Sequence, residues 1–427
     1  MRRKPNLVAL LAIPFLFFAS TGFAGAQGKE SATFWRALGG HNGEVTAQMI
    51  DMFEKAYPNI DIKDTFTGDY YETQSKVMAA IAAGSPPAMA QIMDESIAMF
   101  ANADLLEDLT PYAKGTKGDY KIDTNDFIKG FMWYSQPKGK LVALPWNKST
   151  PLVYYNKDMF KAAGVPEPNP GWTWAEFQAA AEKLTIKKDG VTTVYGCEIP
   201  VDEWFWEALM WGNGGDFFNA DMTKTLVNQP RAVEVTQWWV DMTNKGIMKA
   251  PPGKDYDAWD AARVDFISNK TAIIFASTGN LAGFKDTVNF GTAFMPRGKK
   301  GFATPYGGAH LVIFKGAPAA EKNAAWKFIA WLTDKNQTAY FAKNTGYMPV
   351  RTSAMSSPDM QAQLKANPPL AIAVKQLDYS RGLPLNVHMI EILDKIRGAA
   401  LSAVLGETTA QKAMDDVAVT IDALLKE

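Results

Sequence analysis

The chain has 427 residues, 44 of them Lys or Arg and 45 Asp or Glu, for a net charge of −1; so even a balance gives no electrostatic reason to expect nucleic acid or an anionic membrane as partner. Its one cysteine, Cys197, excludes an internal disulfide, and three scattered histidines, His41, His310 and His388, without a Cys or carboxylate set at ligand spacing, argue against a metal site. An apolar fraction of 47% is that of an ordinary globular protein.

Arg2, Arg3 and Lys4 precede an apolar stretch over 7–19, and Ala24-Gly25-Ala26 follows. This is the pattern of a secretory signal peptide, residues 1–26, cleaved before Gln27. The stretch is interrupted by Pro14 and falls short of the roughly 20 residues a spanning helix needs. No cysteine stands at the cleavage point, so no lipid anchor is expected and the mature chain should be free in the periplasm. About 400 residues then remain, enough for two or three lobes at ~150 each.

Thr33-Phe34-Trp35 reads as a first strand, and Val45, Met49, Met52, Phe53 and Ala56 recur at helical spacing until Pro58-Asn59. Ile60 and Ile62 alternate with charges as the next strand, completing a unit of a mostly parallel sheet. A helix over 71–83, a loop over 84–87 and a buried strand over 89–93 follow, with Ser96 expected to cap a helix through 103. An apolar strand over 141–145 should stop at Pro145; a second runs over 152–155. Pro145 and Pro151 thus bracket a polar segment that joins two sheets.

Thr173-Trp174-Ala175-Glu176 is a capping box opening a helix through 184. Buried strands are expected over 271–275 and 288–295, an aromatic-rich helix over 323–332 and an amphipathic one over 411–425. Trp238, Trp239, Trp326 and Trp331 read as core, as does Cys197, which has no histidine near it in sequence.

The chain contains no Gly-x-Ser-x-Gly elbow, Walker loop or Gly-x-Gly-x-x-Gly fingerprint. No cofactor and no metal are expected; His388 and Glu391 together are only two ligands. A secreted glycoside hydrolase, which needs only two carboxylates placed by the fold, stands as the rival class. Ligands of open α/β sheets bind beyond the carboxyl ends of strands, and those ends carry Tyr70, Asp94, Ser149, Thr150, Ser277, Thr278 and Gly307-Gly308. Trp204 and Trp206, flanked by acids and followed by a Gly-rich loop, are either core or rings that stack on a polyol or a choline-like cation.

The segment from Leu144 to Asp158, with its Pro-bracketed hinge and Tyr155-Asn156-Lys157-Asp158 turn, resembles the hallmark of the family 1 solute-binding proteins of ABC importers. Gly171-Trp172-Thr173-Trp174-Ala175-Glu176-Phe177 and Asn344-Thr345-Gly346-Tyr347-Met348-Pro349-Val350 are similar to further segments of that family, in the same order. The resemblance implies an α/β, two-lobed periplasmic-binding-protein-like fold of type II with a hinge of two or three crossings. The chain should leave the first lobe near Ser149, return near Phe290 and leave again near Thr345. The lobes would be 27–148 plus 291–345 and 149–290 plus 346–427. It further implies a non-enzymatic, monomeric binding protein that serves the permease subunits of an importer.

The Asn147-x-Ser149-Thr150-Pro151 and Ser277-Thr278-Gly279 runs and the Gly307-Gly308-Ala309 turn are similar to the glycerol-3-phosphate-binding branch of the family. That likeness implies sn-glycerol 3-phosphate or a glycerophosphodiester as ligand, with a neutral sugar or oligosaccharide as the alternative. The residues it brings to the site are Tyr70, Asp94, Ser149, Thr150, Trp204, Trp206, Ser277, Gly307, Tyr347 and, as phosphate partner, Arg381, with Arg36 as substitute.

Overall fold

The computed structural model describes residues 29–169, 171–253 and 255–427; the expected signal peptide lies outside them. Among the described residues, two five-stranded sheets organise the chain. The first runs Ile60–Phe66, Glu30–Arg36, Met89–Met93, Gly307–Ile313, Ala143–Ser149. Its first three strands are parallel, and Gly307–Ile313 is antiparallel to both of its neighbours. The second runs Phe290–Ala293, Pro151–Asn156, Ile273–Ser277, Cys197–Glu198, Met248–Lys249.

Alternation in Glu30–Arg36 turns Ala32 and Phe34 wholly inward, and helical periodicity in Gly40–Ala56 does the same for Val45, Met49 and Phe53. Phe53 meets Phe328 at 4.9 Å and Trp331 at 5.6 Å between ring centroids, which anchors the Ala319–Leu332 helix on this sheet. Each such ring pair adds about 0.5–1.5 kcal/mol beyond the area it buries. On the second sheet Trp206, Trp239 and Phe275 are fully buried, as is Cys197. The Thr173 capping box forms as expected: Glu176 N donates to Thr173 Oγ1 at 3.3 Å and Thr173 N to Glu176 Oε2 at 2.6 Å. It opens Trp174–Leu184.

Four expectations change. Ser96 caps nothing; it closes a short 3-10 turn, Asp94–Ser96, and gives its hydroxyl proton to Gln74. Pro145 does not end its strand: the strand bulges just after it, with Trp146 and Asn147 opposite the single Ala309, and runs on to Ser149. At Phe290 the chain is still in the second sheet, paired with Asn156, and it rejoins the first only at Gly307. Past Thr345 it stays with the first sheet: Met348 N donates to Lys148 O at 2.8 Å and Ile128 N to Val350 O at 2.9 Å. The Pro368–Gln376 helix then lies on Phe290–Ala293 of the second.

The first crossing is one residue long. Ser149 ends a strand of one sheet, Pro151 begins a strand of the other, and only Thr150 lies between. Gln376 braces it from the side: its amide donates to Thr150 Oγ1 at 3.1 Å and to Pro151 O at 2.5 Å, while its carbonyl accepts from Met295 N at 2.8 Å. No helix among the described residues is long and apolar enough to cross a membrane.

Candidate functional site

Register brings the polar groups of the crossing together. Gly307 lies opposite Ser149 and Ser277 opposite Pro151, so donors from both sheets converge at one end of each. There a cavity of about 590 Å³ opens between the two sheets, within the size range of small-molecule sites. Ser277 Oγ accepts from Gly279 N at 3.1 Å, which leaves its proton to give outward. Gly308 has φ +100°, and a Cβ there would stand 1.9 Å from Asn147 O; only glycine permits this turn.

Asn147 supports two phenols. Its amide donates to Tyr70 Oη at 2.5 Å, and Tyr70 in turn is hydrogen-bonded to Tyr347. Burial pushes both phenols above their ordinary pKa, so they remain protonated donors. The Tyr347 ring lies on Gly279, where a Cβ would come within 2.7 Å of it.

The Glu203–Asn213 helix forms the facing wall. Asp202 caps it, accepting from Trp204 N at 2.9 Å, and its other oxygen accepts from Trp259 Nε1 at 2.8 Å. This double anchor stacks Trp204 on Trp259, ring centroids 5.8 Å apart at 27°. Tyr256 approaches Tyr70 and Tyr71 at 6.0 and 6.5 Å, completing an aromatic lining. Tyr71 donates to Glu203 Oε1 at 3.0 Å, and Arg397 reaches both Tyr71 Oη at 3.0 Å and Glu203 Oε2 at 3.3 Å.

Acids dominate the ionisable groups of this wall. Asp69, Glu95, Asp202, Glu203, Glu207 and Asp260 line the cavity, whereas the one arginine lining it among the described residues, Arg263, pairs with Asp260 at 3.2 Å. Burial first, and neighbouring carboxylates second, push Glu95 and Glu203 up to about 8 and Glu207 well above the carboxylate range. At neutral pH Glu95 and Glu207 hold protons until something cationic or hydrogen-bonding reaches them, whereas Glu203 already has Arg397 and Tyr71 beside it.

Of the expected site residues, Tyr70, Ser149, Trp204, Ser277, Gly307 and Tyr347 line the cavity. Four do not. Asp94 is sealed beneath the first sheet, where Lys148 pairs with it and His310 Nδ1 is hydrogen-bonded to it at 2.7 Å. Thr150 spends its hydroxyl on Gln376. Trp206 points into the core of the second lobe and donates to Thr236 Oγ1 at 3.0 Å. Arg381 stacks on Trp211 at 3.9 Å and pairs with Asp216 at 3.2 Å, outside the cavity lining. Arg36, its substitute, is held by Asp64 at 2.8 Å.

Sequence reasoning missed Glu95, Glu203, Glu207, Tyr71, Tyr256, Trp259 and Arg397. The legible signal was the i, i+4 spacing of Glu203 and Glu207 around Trp204, which puts both acids on one helix face.

Residues 48–368 match the sequence profile described as "Bacterial extracellular solute-binding protein". The chain belongs to that family. Among its relatives, the sn-glycerol-3-phosphate-binding periplasmic protein UgpB of Agrobacterium fabrum is 27% identical, over 99% of this chain and 97% of its own. The crystal structure of UgpB from Mycobacterium tuberculosis in complex with glycerophosphocholine is similar at 25% identity and a TM-score of 0.81, covering 93% of this chain and 99% of its own. The ABC substrate-binding protein Lmo0181 of Listeria monocytogenes, in complex with cycloalternan, shares the fold at 24% identity and a TM-score of 0.83, over 92% and 98% of the two chains. This solute-binding protein is therefore the substrate-binding component of an ABC importer with a type II two-lobed fold, and its relatives are binding proteins, not enzymes.

Proposed function

We propose that the cleft captures a polyhydroxylated solute without a phosphate dianion, a sugar or polyol, and that the protein does so as a periplasmic monomer freed from its leader. The observation that carries this reading is the acid-lined wall, with Arg36, Arg381 and Arg263 each committed to a carboxylate. A phosphate monoester carries about −1.5 to −2 charges at neutral pH. Burying it among carboxyls without a guanidinium of its own would cost several kcal/mol. A sugar asks instead for flat apolar faces and uncharged hydrogen-bonding groups, which Trp204, Trp259 and Tyr256 on one side and Ser149, Ser277 and Tyr347 on the other supply.

A second reading, a glycerophosphodiester, is supported by the names of the relatives and by the hydroxyls of Ser149, Ser277 and Tyr347. Its single negative charge is easier to bury than a dianion, and a choline cation would offset it against the acids. Thermal shifts with maltose, glycerophosphocholine and sn-glycerol 3-phosphate separate the readings, since a ligand at 100 times its Kd adds about 2.7 kcal/mol. Stabilisation by sn-glycerol 3-phosphate alone would sink the proposal. Contacts from both lobes hold the closed form, which is the form offered to the permease.

A further inference from the structure

Glu207 lines the cavity, is 1% exposed, and neither of its carboxyl oxygens has a hydrogen-bond partner among the described residues. Glu95, 8% exposed, lines the same cavity and leaves Oε2 equally unpartnered. Buried carboxyl oxygens are rarely left so, because an unmet acceptor retains its desolvation penalty. Their neighbour Glu203 is by contrast fully engaged, by Tyr71 and Arg397.

We propose that Glu95 and Glu207 form a subsite for a protonated amino group on the captured sugar, so that the preferred solute is an amino sugar or an amine-bearing polyol. The inference rests on the sugar reading above and narrows it. Several observations separate an amine from other cations. The oxygens lack N–H donors, which a primary or secondary ammonium brings and a quaternary ammonium does not. No group of three or more His, Cys, Asp or Glu among the described residues is arranged to hold a metal ion. The Trp204 ring, one turn from Glu207 on the same helix, offers an apolar face to the sugar that carries the amine.

Charges on every packed element bear on the subsite. Lys148 on the first sheet pairs with Asp94, Arg397 with Glu203 and Asp394, and Arg381 with Asp216; Lys148 and Arg381 still pull Glu95 and Glu207 down through space, against the stronger effect of burial, without a hydrogen bond to either. Burial first, then the like charge of Asp94 beside Glu95 and of Asp202 near Glu207, keeps both acids protonated while the site is empty. An arriving ammonium ionises them, and binding therefore releases protons.

The test is calorimetric titration of the full mature protein with matched amine and hydroxyl pairs, such as glucosamine with glucose and galactosamine with galactose, and with the uncharged N-acetyl forms. Each is measured in two buffers of different ionisation enthalpy. The expected result is amine binding about tenfold or more tighter than the hydroxyl or N-acetyl partner, with buffer-dependent heat, and loss of that preference in Glu207→Gln. Circular dichroism verifies that the isosteric variant is folded, and the wild-type pairs give the answer without it. Equal binding within pairs overturns the amine subsite and leaves the sugar reading standing. Binding by no sugar of any pair, with or without capture of glycerophosphocholine, overturns both.

Discussion

The indole of Trp204 lies against the backbone of Gly307, so close that a Cβ on that glycine would stand 2.4 Å from Trp204 Cζ2. One residue belongs to a helix beside the second sheet and the other to a strand of the first, so the contact is a clasp between lobes. Gly307→Ala should hold the lobes apart. Ligand affinity should fall, with little loss of stability in the ligand-free protein. X-ray scattering with saturating ligand would show a larger radius of gyration than wild type; an unchanged radius refutes the clasp.

Trp204 and Trp206 should part company when each is replaced by alanine. Trp204→Ala removes a half-buried ring from the cavity wall, so solute affinity should drop by about one to two orders of magnitude at modest cost in stability. Trp206→Ala opens a hole in a sealed core and should cost about 3–5 kcal/mol in denaturant unfolding. Equal behaviour in both assays would contradict the assignment.

Stability should depend on pH with a definite sign. Glu95 and Glu203 titrate at about 8 in the folded chain, against about 4.3 unfolded, so the fold retains protons that the unfolded chain has lost. Their contribution is complete below the unfolded value and declines as pH rises towards 8. His310, pushed down to about 4 by burial and then by Lys148, works oppositely, but only below its unfolded value of about 6.5. From about pH 6.5 to 8 the carboxyls therefore act without opposition from it, and the ligand-free melting temperature should fall across that interval. Glu207→Gln should flatten the fall, as a fluorescence melt series can check.

Gln376 ties Thr150, Pro151 and Met295 with one amide. Gln376→Ala strands the buried Met295 N–H and should cost about 1–3 kcal/mol. Hydrogen exchange should rise at Met295 and at residues 149–152; unchanged protection there would argue against a brace.

Lys148→Met should be costly far from any ligand contact. It leaves Asp94 buried with His310 alone, and removing one member of a buried pair costs about 3–5 kcal/mol. Chemical denaturation measures this directly, and a loss under 1 kcal/mol would disprove the pairing.

What could be read from residues alone follows the range of the interactions. The polar segment between Pro145 and Pro151 marked the join between the sheets because the information is local. Asp94 misled, since a carboxylate at a strand end looks the same whether it faces a solute or a lysine. Its partners Lys148 and His310 come from strands 54 and 216 residues away. Trp206 is separated from Trp204 by about 200° around a helix, so the two cannot share a face. That was obscured while the segment was not recognised as a helix begun by Asp202. Tyr256 and Trp259 sit three apart on Asp255–Ile267, a helix whose mixed pattern gave no clear period.

The single-residue link at Thr150 has a mechanical corollary. A joint confined to one or two backbone torsions acts as a pivot, and displacement on rotation grows with distance from the axis. Ser149 and Ser277 sit beside that pivot and barely travel, so their hydroxyls keep one spacing whichever way the lobes turn. A solute gripped at the axis thus meets a fixed pair of hydroxyls before and after the jaws shut.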